Sequence, residues 1–356
     1  MSIETLYSEA VGLLKQLIAT PSISKEENDT AEIISAFFGK HHIPIERTGN
    51  NIYTKNKYYD KTRPSMLLNS HHDTVKPNKG YTLDPFSPIE KDGKLFGLGS
   101  NDAGGCLVSL IATFLHFYDK ENLGYNVVFA ASAEEEISGV NGIEAIIPHL
   151  GNIDFGIVGE PTQMEMAVAE RGLMVIDCIA EGRAGHAARN EGENAIYKAL
   201  DDIDWIRRHQ FEKVSPLLGE SRMTVTVIGT DNQQHNVVPP QCKFVIDARV
   251  NELYTFDEIL TELGQHMKSQ FKPRSTRMKS TSIPLDHPLV NAGIAMGKSY
   301  YGSPTTSDKA LMPFTTLKMG PGDSARSHTA DEFIYMDEIR DGIATYIGLL
   351  NKVIFK

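Results

Sequence analysis

Apolar residues recur at helical spacing over residues 3–19 and 26–41, and two short apolar runs, 51–55 and 66–70, follow as strands. A further helix begins after Gly104-Gly105, and the stretches NVVFAASAEEE and FGIVGEPT are apolar strands that end in acids. This alternation predicts an α/β sheet covered by helices, with reactive groups gathered where the strands end.

From about Gly172 the pattern changes. GLMVIDCIAEG reads as a strand, NAIYKALDDIDWIRRHQF as a helix, RMTVTVIGT and KFVIDARV as alternating strands, TFDEILTELGQHMKSQF as a helix and TRMKSTSI as a last strand. The order β-α-β-β-α-β is that of a ferredoxin-like α+β unit. The expected organisation is therefore a domain formed by residues 1–170 and 285–356, with residues 171–284 inserted as a second domain. A length of 356 residues suits two cores better than one.

Charge removes several classes of partner. Acidic residues outnumber basic ones 46 to 35, a formal net charge of −11 that argues against phosphate backbones and anionic membranes. No apolar stretch approaches the roughly 20 residues that a membrane span requires. The amino terminus carries Glu4 and Glu9 and repeats its apolar residues at helical spacing in place of a signal-peptide core. Cys106, Cys178 and Cys242 are odd in number and far apart, and read as buried free thiols of a reducing compartment. A cytoplasmic protein is expected.

The segment NSHHDTVKP asks which of its three polar side chains does chemistry. A period of two along the strand sets His71 and Asp73 on one face and turns His72 the other way, toward solvent if the strand ends there. Further metal-type ligands close other apolar runs: Asp102 in GLGSNDAGG, Glu134-Glu135-Glu136 after VVFAAS, Glu160 in VGEPT and His328 in RSHTADE. Each alone has an ordinary reading, as a helix cap, an acidic surface, a turn residue or a surface histidine. Together they supply imidazoles and carboxylates suited to two divalent cations of the zinc type, one carboxylate bridging the pair.

On the motifs SHHDTV, GLGSNDAGG, AEEEISG, GEPT, GHAAR, HNVVP and SHTADE, in that order along nearly the whole chain, the sequence resembles the zinc-dependent aminoacylase, acetylornithine deacetylase and succinyl-diaminopimelate desuccinylase family. The resemblance implies that Asp102 bridges two zinc ions, with Glu136 and His328 on one and His71 and Glu160 on the other. Cobalt or manganese would substitute in the test tube. It implies that the peptide after Asp102 is cis, that Asp73 holds the second ring nitrogen of His71, and that Glu135 is the general base. His186 would stabilise the tetrahedral oxyanion, reaching a neighbouring subunit's site in dimeric members. A homodimer through the inserted domain is accordingly expected.

Arg249, Asn236, Thr306 and Ser307 match positions that line the substrate pocket in relatives, although Arg249 also suits a salt bridge on its strand face. Ser70 stands where relatives have glycine, and Lys76 separates Val75 from Pro77, departures that alter loop shape without removing a ligand. The favoured substrate is a small N-acyl amino acid, N-acetylornithine or its N-succinyl analogue in arginine biosynthesis. Alternatives are desuccinylation of succinyl-diaminopimelate, a dipeptidase or aminopeptidase, and a metal-dependent binding protein without activity. The last has no need of Glu135.

Overall fold

The computed structural model describes residues 1–189 and 191–355. The chain divides into two compact units. The first is Met1–Val168 with Ser282–Tyr301 and Ser307–Lys356, and the second is Ala169–Thr281 with Gly302–Thr306.

The first unit opens with α1 (Ile3–Ile18), whose N-cap Ser2 accepts the Thr5 amide, and α2 (Asn28–Lys40). The strands β1 (Glu46–Thr48), β2 (Asn51–Lys55), β3 (Ser65–His71), β4 (Ile89–Lys91) and β5 (Lys94–Phe96) follow. Then come α3 (Gly105–Phe117), β6 (Asn126–Ser132), α4 (Ile143–Leu150), β7 (Phe155–Val158) and β8 (Met166–Glu170).

The second unit holds β9 (Gly172–Glu181), β10 (Gly185–His186), α5 (Ala195–Arg208), β11 (Arg222–Gly229), β12 (Val237–Val238), β13 (Gln241–Val250), α6 (Phe256–His266) and β14 (Gln270–Pro273). β15 (Thr281–Ser282) and β16 (Tyr300–Ser303), like β8, straddle points where the chain passes from one unit to the other. α7 (Pro288–Ala295), β17 (Thr315–Lys318), β18 (Phe333–Tyr335) and α8 (Met336–Val353) complete the first unit.

The main sheet runs β1-β2-β6-β3-β7-β17-β8. β3 is parallel to β6 and β7, and β7 to β17, while β2 and β8 run antiparallel to their neighbours. Parallel strands need both faces covered, which accounts for the unbroken burial of β3, β6 and β7. β4, β5 and β18 form a small antiparallel sheet that the apolar pattern did not suggest. The α/β class expected from the alternation is the class observed.

The second unit is antiparallel, in the order β11-β13-β9-β14, with α5 and α6 supplying the ferredoxin-like helices. Thr255 and Glu258 close a reciprocal capping box at the start of α6. One face of the sheet buries Met174, Ile176, Cys178, Phe244 and Ile246 with Ile206 of α5 and Ile259 and Leu263 of α6. Its fourth strand corrects the expectation from the pattern: it is Gln270–Pro273, not TRMKSTSI. α6 stops at His266, and Phe271 packs on the core from the edge strand, where Pro273 removes no needed donor.

All three cysteines are buried and unpaired. Among the described residues no helix is long and apolar enough to cross a membrane.

Candidate metal centre

β3, β6, β7 and β17 all end at the same edge of the first unit's sheet, where polar side chains follow each strand. His71 is the last residue of β3 and is 2% exposed. Its Nδ1 donates to the backbone oxygen of Asp73 at 3.0 Å and lies 3.4 Å from Asp73 Oδ1. Its Nε2 is buried with no hydrogen-bond partner. That nitrogen faces Asp102 Oδ1 at 3.4 Å, and Glu135 Oε2 and Glu160 Oε1 at 3.9 Å each. An imidazole nitrogen ringed by carboxylate oxygens is a donor set that fits a cation.

Asp102 lies between two histidines. Its Oδ2 is 3.6 Å from Nε2 of His328, while its Oδ1 faces His71. The Asp102–Ala103 peptide is cis. The turn is tight enough that Gly99 sits at φ 74°, and a Cβ on Gly104 would stand 2.4 Å from the Gly99 oxygen. Glu332 supports this turn by accepting the amides of Gly99, Asn101 and Asp102. His328 adopts φ 60° in its loop, and its Nε2 reaches Glu136 at 3.0 Å.

Ligand atoms of His71, Asp102 and Glu136 lie within 4.8 Å of one another, as do those of His71, Glu135 and Glu160. Distance therefore groups Glu135, the expected base, with His71 and Glu160. Asp73 organises the glutamates as well as the histidine: Oδ1 accepts the Glu135 amide at 3.0 Å and Oδ2 the Glu136 amide at 3.2 Å. The Ser24 hydroxyl adds a 2.7 Å bond to Asp73 Oδ2. Nothing in the sequence reading marked Ser24 or Glu332; the signal available was their place in short polar segments, TPSISKEEN and SHTADE, beside buried elements.

Burial pushes the Glu135 carboxyl well above its ordinary value, against the pull of His71 and with added repulsion from Glu160 and Asp308. Burial likewise carries Glu160 to about 8, although Lys318 and His71 oppose it. Lys318 ends β17 in register with Val158, two residues before Glu160. The hydrogen bond to Glu136 lifts His328 to about 9. Burial raises Glu136 in the same way, whereas Asp102, against its own burial, is held low by His71.

His72 corrects the expectation of a solvent-facing position. It is 6% exposed, with Nδ1 2.9 Å from Thr30 Oγ1 and Nε2 2.9 Å from the Asn50 oxygen. The protein continues over the sheet edge here, so both ring nitrogens find partners inside.

His186, Asn236, Arg249 and Thr306 belong to the second unit. His186 is exposed on β10, its Nδ1 accepting the Ala188 amide, and the Asn236 oxygen accepts the neighbouring Ala187 amide. Arg249 forms the strand-face pair that was its alternative reading, gripping both oxygens of Asp247. Thr306 Oγ1 donates to the Arg171 oxygen, whereas Ser307 is buried in the first unit.

A parallel-centred sheet whose carboxyl edge gathers two histidines and a set of carboxylates is a site built to bind metal. Residues 67–352 match the model of peptidase family M20/M25/M40, and the chain belongs to that family. It is 27% identical over 296 residues to a succinyl-diaminopimelate desuccinylase of Wolbachia pipientis, covering 78% of this chain and 74% of the relative. It is also 27% identical over 359 residues to the acetylornithine deacetylase of Proteus mirabilis, covering 92% of each. The fold matches the crystal structure of aminopeptidase PepT from Bacillus cereus with a TM-score of 0.79 at 16% identity, covering 98% of both chains.

Proposed function

We propose that the protein removes the acyl group from an N-acyl amino acid, N-acetylornithine or N-succinylornithine, as a step of arginine biosynthesis in the cytoplasm. The observation that carries this reading is Asp102, whose two oxygens face His71 and His328, with Glu136 and Glu160 on either side. His71, Asp102, Glu136, Glu160 and His328 would hold two zinc ions, and the buried, unpartnered Nε2 of His71 is a donor in want of one. When bound, the ions polarise the amide carbonyl and make water more acidic.

The chain's own groups do the rest. Asp73 fixes the His71 tautomer that leaves Nε2 free to coordinate. Glu135, with a carboxyl that burial makes strongly basic, takes the proton of the attacking water and returns it to the departing amine. His186 is assigned to the oxyanion, contributed across a homodimer formed by the second unit. Arg249, Asn236, Thr306 and Ser307 are assigned to the substrate's polar groups.

The acetylornithine deacetylase relative supports this choice, matching 92% of both chains at 27% identity, although a succinyl-diaminopimelate desuccinylase of a Wolbachia species matches as long a stretch at 24%. Desuccinylation of succinyl-diaminopimelate is the second reading, supported by that desuccinylase. Zinc-loaded protein incubated with N-acetylornithine, N-succinylornithine, succinyl-diaminopimelate and a di- and tripeptide separates them. Free ornithine is the expected product. Release from succinyl-diaminopimelate alone moves the assignment to the second reading, and cleavage of the peptides alone ends both.

A further inference from the structure

The loop that carries His328 carries an acid four residues later whose side-chain hydrogen bonds go to backbone amides. Glu332 is 1% exposed. Its Oε1 accepts the amides of Asn101 at 2.8 Å and Asp102 at 2.9 Å, and its Oε2 accepts the amide of Gly99 at 3.2 Å. Its own backbone oxygen accepts the Gly97 amide at 2.9 Å. One side chain thus collects three donors from a turn only four residues long. Asp331, the adjacent residue, points its carboxylate elsewhere and takes the amides of Thr82 and Leu83 and the Thr82 hydroxyl.

We propose that Glu332 is the positioning residue for Asp102, setting the height and rotation of that carboxylate between His71 and His328 through the backbone of the turn. The inference rests on the reading of Asp102 as the shared metal ligand.

Three features argue for positioning over simple support. The turn already closes itself, Gly104 donating to the Gly99 oxygen at 2.9 Å, so the Glu332 bonds are not needed to make it. They fall on the residues that lead into Asp102, where a small rotation of the chain swings both oxygens away from the histidines. And because His328 and Glu332 share one short loop, the Glu332 bonds tie the turn that carries Asp102 to the segment that carries His328, 3.6 Å away at Nε2, alongside the bonds of Asn101 to Asp323 and Ser327. Partners that orient a ligand in this way commonly matter for affinity nearly as much as the ligand.

Glu332→Gln tests this, since it keeps shape and one acceptor oxygen but turns an NH₂ toward amides that can only donate. Asp331→Asn is the matched control in the same loop, and Asp102→Asn the reference. Each is scored by Zn²⁺ affinity in competition with a chromogenic chelator, by the d–d spectrum after loading with Co²⁺, and by the thermal midpoint. Glu332→Gln is expected to weaken zinc binding about 10–100-fold and to alter the cobalt spectrum. Glu332→Asp, with the charge kept and the acceptors withdrawn by one methylene, should fall between it and wild type. Asp331→Asn should lower the midpoint with affinity and spectrum unchanged. Wild-type affinity and spectrum in Glu332→Gln, or a loss that Asp331→Asn reproduces, overturns the inference. If Asp102→Asn itself binds zinc as wild type does, the reading of Asp102 falls and takes the inference with it.

Discussion

β3 and β6 are buried at every position, whereas β9 and β13 alternate between buried and wet residues along their length. The contrast decides how much a polar residue means in each place. On β13 a charged residue such as Lys243 or Arg249 has water or a neighbour on the open face, and its presence asks for no explanation. At the end of β3 there is no open face. His71, Asp73 and Glu160 are all buried, and burying charge is costly unless something compensates it. A polar cluster in a doubly covered sheet is therefore evidence of use, while the same residues on a half-covered sheet are not.

The largest expected effect breaks the first unit's chemistry and leaves its structure. Glu135→Gln should keep both metals and lower kcat by about 10²–10⁴-fold, the usual contribution of a positioned acid–base group. Glu136→Gln should release metal instead. Equal metal content and equal residual rates in the two variants would show that the glutamates have been given the wrong roles.

The second unit should answer in the opposite sense. Phe244→Ala empties a fully buried site in its core and is expected to cost about 3–5 kcal/mol of that unit's stability. Zinc affinity of the first unit should not move. A variant that unfolds readily and also loses zinc would mean that the two halves of the comparison are not independent.

Proton competition sharpens the comparison further. In the ion-free protein His328, lifted from 6.5 to about 9, and Glu160, raised from 4.5 to about 8, hold protons that the unfolded chain has released at pH 7. For His328 the stabilisation is fully present below about pH 6.5 and is lost as pH rises through about 9; Glu160 favours the folded state less and less between about 4.5 and 8. A cation must displace these protons and those of His71 and Glu136, which are raised as well, so zinc affinity should climb as pH rises from about 6 to about 9. Chelator competition across that range giving a flat profile would contradict the assigned cluster.

The smallest signal is a recovery. In the proposed homodimer, His186→Ala and Glu135→Gln proteins, each inactive, should regain about a quarter of wild-type activity when mixed under subunit exchange, because half the dimers would be mixed and each of those would have one complete site. No recovery despite demonstrated exchange would remove His186 from a neighbour's site.

Much of this was legible because period and motif coincide. The apolar run at 66–70 became β3, and the acids that follow each strand lie together at one sheet edge, as period-two alternation and strand-end chemistry led one to expect. What was not legible depended on residues distant in sequence. His72 looked solvent-facing because nothing in NSHHDTVKP reveals that Thr30 and Asn50 fold over it. The fourth strand of the second unit was hidden because QFKP directly follows a helical pattern and is too short to show its own period. Glu332 escaped because its partners are backbone amides, which carry no sequence signature.

The buried cysteines have a practical consequence. Cys106 donates to the Pro321 oxygen, and burial holds its thiol well above the ordinary range; burial carries Cys178 to about 12 and raises Cys242 as well. Since the thiolate is the species that reacts, the native protein should be silent toward maleimides and disulfide reagents. A single cysteine introduced at an exposed position such as Val227, 58% exposed near the end of β11, would then be its sole labelling handle. A spin label or fluorophore placed there would report whether two copies associate, with no background from the chain itself.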